Sequence, residues 1–247
     1  MPRTIDINCD LGEGCPNDAE LMGLISSANI ACGFHAGDEA TMHGTVDLAI
    51  RNGVAIGAHP SYPDRENFGR TPMALSDTEV FEIVAEQIHT LKRICETQGA
   101  ALHHVKPHGA LYNQAAKDAA LSAAVAKAVW ETGNELILYG LSGSCLISEA
   151  ERIGLKTSSE VFADRTYQND GTLTPRSQTD ALITEDDTSV AQVLQMIEEQ
   201  SVTSINGETV LLKAETICIH GDGEHAVSFA SKIRTALIDH GFEIRAG

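Results

Sequence analysis

Thr4-Ile5-Asp6-Ile7-Asn8-Cys9-Asp10 is the stretch on which the fold turns. Side chains alternate across a strand, so Asp6, Asn8 and Asp10 share one face while Ile5, Ile7 and Cys9 share the other. Parallel strands covered on both faces normally read as continuous apolar runs, and a persistently polar face needs a reason. The division recurs along the chain. Ala55, Gly57 and His59 oppose Val54, Ile56 and Ala58; Leu102, His104, Lys106 and His108 oppose His103, Val105 and Pro107; Thr216, Cys218 and His220 oppose Ile217 and Ile219. A polar interior cavity supplies the reason.

Strand candidates fall at 4–10, 29–35, 54–59, 102–108, 135–140, 156–164 and 216–222, with helical patterns between them. Six of the seven end on ionisable groups: Asp10, His35, His59, Lys106 with His108, Asp164, and His220 with Asp222. Chemistry in barrels gathers at the C-terminal ends of strands. The expectation is therefore α/β, a distorted (β/α)7 barrel, with an eighth strand left open. The clearest helix starts at Ser76-Asp77-Thr78-Glu79, a capping box with Leu75 and Val80 as its staple. Its apolar stripe is Val80, Val84, Ile88, Leu91 and Cys95, and Gly99 offers the stop. The last helix is expected over 224–240. A hairpin around Asn206-Gly207 is expected over 201–212, within a single domain spanning 1–247.

The 247 residues carry 17 Lys and Arg against 35 Asp and Glu, a net charge of −18 that repels nucleic acid and anionic membranes. Neither is expected as a partner. Six cysteines without C-x-x-C spacing read as reduced thiols. With no apolar leader or spanning run, a cytoplasmic location is expected.

Asp6-x-Asn8-x-Asp10-x-Gly12-Glu13 places carboxylates together, where their pKa values can separate into a base and an acid. The bland alternative is a solvated strand end. His35 and His59 end consecutive strands, and with Asp10 they form a possible divalent-metal set; a metal-free hydrogen-bonding site fits the residues equally. Lys106 offers a carboxylate clamp or oxyanion donor, and His108 a proton carrier. Glu160-Val161-Phe162-Ala163-Asp164-Arg165 opens a long loop that reaches about Asp187. Arg165, Arg176 and Arg70 are candidate forks for a carboxylate or phosphoryl group, although surface ion pairs would account for the last two. His220-Gly221-Asp222-Gly223 is a weak anion-binding signal. His43, His89, His225 and His240 read as ordinary surface residues. No phosphate loop, dinucleotide fingerprint or nucleophile elbow occurs.

As an ensemble, D-x-N-x-D-L-G-E (6–13), N-I-A-C-G-F-H-A-G-D (29–38), A-H-P-S-Y-P-D (58–64), F-G-R (68–70), V-K-P-H-G-A-L-Y (105–112), E-V-F-A-D-R-x-Y (160–167) and H-G-D (220–222) resemble the LamB/YcsF family, the A subunit of bacterial ATP-dependent 5-oxoprolinase. The resemblance covers nearly the whole chain. It implies a distorted (β/α)7 barrel like those of sugar hydrolases and polysaccharide deacetylases, and partner subunits B and C. The implied reaction hydrolyses 5-oxo-L-proline to L-glutamate while ATP yields ADP and phosphate. With no phosphate loop here, ATP is expected to act at the level of the complex. Asp10 or Glu13 is then expected as base, with His35, His59, His108 and His220 placing water or moving protons and Lys106 stabilising the oxyanion. Asn8, Arg70, Tyr112, Glu160, Asp164, Arg165 and Asp222 are the substrate-binding candidates. The rival readings are a stand-alone metal-dependent deacetylase or amidohydrolase on Asp10, His35 and His59, and a non-catalytic metabolite-binding subunit.

Overall fold

A computed structural model describes residues 3–221 and 226–247. The chain runs β1 (Arg3–Leu11), α1 (Asp18–Met22), β2 (Ser27–Ala31), α2 (Glu39–Asn52), β3 (Ala55–His59), α3 (Asp77–Thr97) and β4 (Leu102–Val105). It continues through α4 (Gly109–Ala115), α5 (Ala119–Thr132), β5 (Ile137–Leu141), α6 (Cys145–Arg152), β6 (Lys156–Phe162) and α7 (Asp186–Glu198). β7 (Ser201–Thr203), β8 (Thr209–Leu211), β9 (Thr216–Ile219), α8 (Ala226–Asp239) and β10 (Phe242–Ile244) complete it.

β1 to β6 pair consecutively in parallel, β6 pairs with β9, and β9 pairs with β1, closing a seven-stranded barrel. The expected (β/α)7 barrel is the observed one. β10 lies parallel to the start of β1, with Arg3 opposite Phe242, as a flanking eighth strand outside the ring. β7 and β8 pair with each other, antiparallel, beside the barrel.

Several strands are shorter than the sequence suggests. β2 spans 27–31 rather than 29–35, because a positive-φ turn at Gly33 carries the chain off the sheet before His35. β4 stops at Val105 rather than His108, since Pro107 lacks an N–H. Lys106 and His108 still donate to the Ala58 and Pro60 carbonyls, so both side chains stay registered with β3. The expected start of the last helix, at 224, lies outside the described residues.

α3 shows how local sequence places these elements. Ser76 Oγ accepts from the Glu79 N–H (3.3 Å) while the Glu79 carboxylate accepts from the Ser76 N–H (2.8 Å). Its stripe, Val80, Val84, Ile88, Leu91, Ile94 and Cys95, is buried. Each large aliphatic side chain in it contributes roughly 1.5–3 kcal/mol by leaving water.

The apolar core is a ring between strands and helices, holding Ile5, Ile7, Ile56, Val105, Ile217 and Ile219. The barrel axis is polar. Asp6 accepts from the hydroxyls of Ser26, Ser27 and Thr216 at 2.6–2.8 Å, and its burial raises its pKa. Above it, Asn8 donates to Thr216 Oγ1, and the Asn29 amide donates to both Asn8 and Asp10 at 2.8 Å. His104 Nε2 donates to Asn29 Oδ1. Gly57 makes room for that ring, because a Cβ there would lie 2.0 Å from His104 Nε2. No helix among the described residues is long and apolar enough to cross a membrane.

Candidate active site

The C-terminal ends of the strands open into a cavity of about 560 Å³ whose floor includes Asp10, Glu13, His59, Lys106, His108 and His220. Asp10, His59, Lys106 and His108 are themselves at least nine-tenths buried.

On one side, Glu13, His35, His59 and His108 offer ligand atoms that all lie within 4.8 Å of one another. His59 Nδ1 donates to the Lys106 carbonyl (2.7 Å) and His108 Nε2 to the Phe68 carbonyl (2.9 Å). Neutral His35 has one ring proton; Nε2 gives it to the Glu13 carboxylate (3.0 Å), and Nδ1 accepts from Ser61 Oγ (2.9 Å). The two carbonyl bonds fix which nitrogens of His59 and His108 carry hydrogen. In their neutral forms His59 and His108 thus turn lone pairs inward, whereas His35 Nε2 donates to the Glu13 carboxylate; all three inward nitrogens converge on Glu13. They face Glu13 Oε1 at 3.0 Å from His35 Nε2, 3.5 Å from His108 Nδ1 and 3.9 Å from His59 Nε2.

His59 Nε2 lies 2.9 Å from His108 Nδ1, an approach that two lone pairs tolerate only with a positive charge shared between them. Burial opposes a charge on His59, but Asp10, 3.3 Å away, outweighs it and raises the His59 pKa. His35 and His108 stay neutral. Burial, reinforced by the charge on His59, lowers His35 to about 3 and pushes His108 well below the usual imidazole range.

The donor set also suits a divalent cation, whose tetrahedral ligands at about 2.0–2.1 Å would stand roughly 3.3 Å apart. The rings of His35 and His108 are stacked at 3.8 Å with planes 6° apart, so one ion cannot lie in both planes. Glu13, His59 and one of that stacked pair form the fitting set. Glu13 thus takes the place expected for Asp10. A second group, Asp10, Cys218 and His220, does not fit a cation, because the Lys106 ammonium already sits 2.9 Å from Asp10 and 3.0 Å from Cys218 Sγ.

Lys106 also meets Asn8 Oδ1 at 3.1 Å and Glu160 Oε1 at 2.8 Å. Burial disfavours its charge, yet Asp10, Cys218 and Glu160 raise its pKa well above the usual value. Burial would raise Asp10, but His59 and Lys106 hold it well below the carboxylate range. Lys106 is thus occupied as a counter-ion, where the sequence suggested an oxyanion donor. Asn8 and Glu160 lie beneath the cavity and hold Lys106, whereas the sequence suggested ligand contacts for both. Tyr112 reaches the cavity wall, its hydroxyl buried without an aligned hydrogen bond, and burial followed by Glu160 raises its pKa.

Across the cavity, both carboxylate oxygens of Asp164 accept from His220 Nδ1 (2.9 and 2.7 Å). Burial would raise Asp164, but His220 holds its pKa low. Arg165 and Arg70 line the wall, Arg70 over the Phe68 ring. Asp222 lies outside the described residues.

Sequence reading missed the groups that aim the imidazoles. Ser61 orients His35 and is itself gripped by Gln87, which bonds both the N–H and the carbonyl of Ser61. Phe68 delivers its carbonyl to His108 from a left-handed backbone (φ 56°) followed by Gly69 at φ 66°, where a Cβ would press on His35 and His108. Ser61 and Phe68 sit inside the quoted motifs, but nothing in a motif tells a ligand from its brace.

The LamB/YcsF family model matches residues 5–247. The chain superposes on the lactam utilization protein from Thermus thermophilus with a TM-score of 0.92 and 40% identity, covering 99% of this chain and 100% of that one. It also matches the family 4 carbohydrate esterase from Streptomyces lividans in complex with acetate, at TM-score 0.52 and 12% identity over 98% of this chain and 91% of that one. The second likeness is one of fold.

Proposed function

Since the chain belongs to the LamB/YcsF family, we propose that it is the ring-opening subunit of an ATP-dependent 5-oxoprolinase, acting with partner subunits B and C. The observation that carries this reading is the pair of proton-handling groups on opposite walls of one cavity, the Glu13–His59–His108 cluster and the His220–Asp164 dyad. Opening a lactam needs a proton removed from water and another delivered to the departing ring nitrogen. The 40% identity to a lactam utilization protein supports a cyclic amide as substrate.

In this reading Glu13 accepts the proton of the attacking water, with His59 and neutral His108 holding that water in place. His220, its Nδ1 N–H held by Asp164, turns Nε2 to the ring nitrogen and, in its imidazolium form, delivers the Nε2 proton there, leaving the neutral ring. Asp10 remains a carboxylate throughout and sustains the charge on His59. Lys106 neutralises Asp10 and Glu160, so the two carboxylates can share the floor. A divalent ion on Glu13, His59 and one of His35 or His108 would polarise the carbonyl oxygen.

The test is glutamate formation and ADP release from 5-oxoproline plus ATP, by this chain alone, by B and C alone, and by all three. Coupled products only from the complete mixture are expected. Full activity from B and C alone would sink the proposal. The metal-fitting geometry of Glu13 and the histidines favours one second reading, a stand-alone metal-dependent amidohydrolase or deacetylase, which would turn over without ATP or partners.

A further inference from the structure

The chain carries a charge of −18, yet among the described residues five Lys and Arg against three carboxylates line the cavity. Such a local reversal of sign focuses anions into the cleft. Two of the cations are built for more than general attraction. Arg165, 5% exposed, donates from Nε to the Ala181 carbonyl (3.2 Å) and from Nη2 to the Thr174 carbonyl (2.6 Å). Its Nη1 has no acceptor among the described residues, and the residue lines the cavity. The segment behind it is braced by bridges between Arg165 and Leu182 and between Tyr167 and Leu173, so the guanidinium is held before any ligand arrives.

Arg176 lines the same wall and has no carboxylate partner among the described residues. Burial, followed by the charge of Arg176, lowers Arg165 to about 10, although Asp164 acts the other way. Nearby Asp164 is already committed to His220. Two guanidiniums on one cavity wall, one of them buried and fixed, suit a doubly charged oxyanion.

We propose that Arg165 and Arg176 form a phosphoryl subsite, so that this chain receives an activated, phosphorylated lactam. This rests on the reading of the cavity as the chamber in which the lactam opens. The cavity, about 560 Å³, is within the range that accepts ligands far larger than a five-membered lactam acid.

The test is titration calorimetry of the intact chain with inorganic phosphate, ADP and acetate at constant ionic strength. Phosphate is expected to bind saturably and at least about tenfold more tightly than acetate, and Arg176→Gln to weaken it by roughly tenfold or more at unchanged Tm. Arg165→Lys, which keeps the charge but loses the fork, is expected to weaken it too. ADP binding no tighter than phosphate places the phosphoryl group on the substrate, whereas tighter ADP places it on the nucleotide. No saturable phosphate binding, or equal binding by Arg176→Gln, overturns the subsite. So does a complete complex carrying Arg176→Gln that makes glutamate at the wild-type rate. Phosphate binding by the chain while the wild-type complex makes no glutamate leaves the subsite standing and removes the oxoprolinase reading instead.

Discussion

His59 Nε2 and His108 Nδ1 face each other at 2.9 Å, while the Lys106 and Phe68 carbonyls hold the N–H groups on the far sides of both rings. The pair therefore holds one positive charge, as a proton on His59 or as a metal ion in its place. Metal uptake must then release a proton. Affinity for zinc should rise as pH climbs towards the raised His59 pKa and level off above it. Calorimetry in buffers of different ionisation enthalpy reads the released proton directly. Glu13→Gln should weaken zinc by at least the roughly 10–100-fold typical of outer-shell partners, and equal uptake by that variant would exclude the cluster.

His220→Gln should lower kcat/KM of the assembled complex by about 10²–10⁴, the span of a general acid or base. Its side chain is 17% exposed and, among the described residues, bonds only Asp164, so the Tm should move little. Asp164→Asn should act in the same direction, because an amide holds the ring less firmly than a carboxylate. Unchanged turnover in His220→Gln would remove the dyad from the reaction.

Lys106→Met leaves Asp10 and Glu160 buried without their ammonium. Removing one partner of a buried pair costs about 3–5 kcal/mol. Urea unfolding should show that loss, and turnover should fall with it. A Met variant as stable as wild type would mean that Lys106 serves a ligand and not the fold.

The strand face carrying Asp6, Asn8 and Asp10 was enough to anticipate a closed barrel with a polar axis, because alternation depends only on the backbone. Residue types alone also singled out Asp10, Glu13, His59, Lys106 and His108, which the structure gathers on one cavity floor. Their pairing was not legible. Whether Lys106 meets a ligand or Glu160 depends on how far β6 climbs relative to β4, a register set by the whole ring. The brace on His108 comes from a backbone carbonyl at Phe68, and every residue has one of those.

Asp6 offers a pH test away from the cavity. Its folded pKa is raised by burial. Between the unfolded value and that raised value the folded chain keeps a proton that the unfolded chain releases. Wild-type stability therefore falls with rising pH across this window, by up to about 1.4 kcal/mol per pH unit. Asp6→Asn lacks that slope and should gain on wild type as the pH passes from about 4 upward. Chemical denaturation at several pH values measures the difference, and a gap that stays constant with pH would refute it.

Asn29 donates to Asn8 and Asp10 and accepts from His104, so both of its N–H groups are engaged at the centre of the barrel. An aliphatic side chain substituted at Asn29 takes the acceptor from His104 Nε2 and one donor each from Asn8 and Asp10. Repacking this barrel with hydrocarbon would require replacing a whole layer at once. Drift by single substitutions is blocked, and the reaction chamber rests on a foundation that evolution can exchange only as a set.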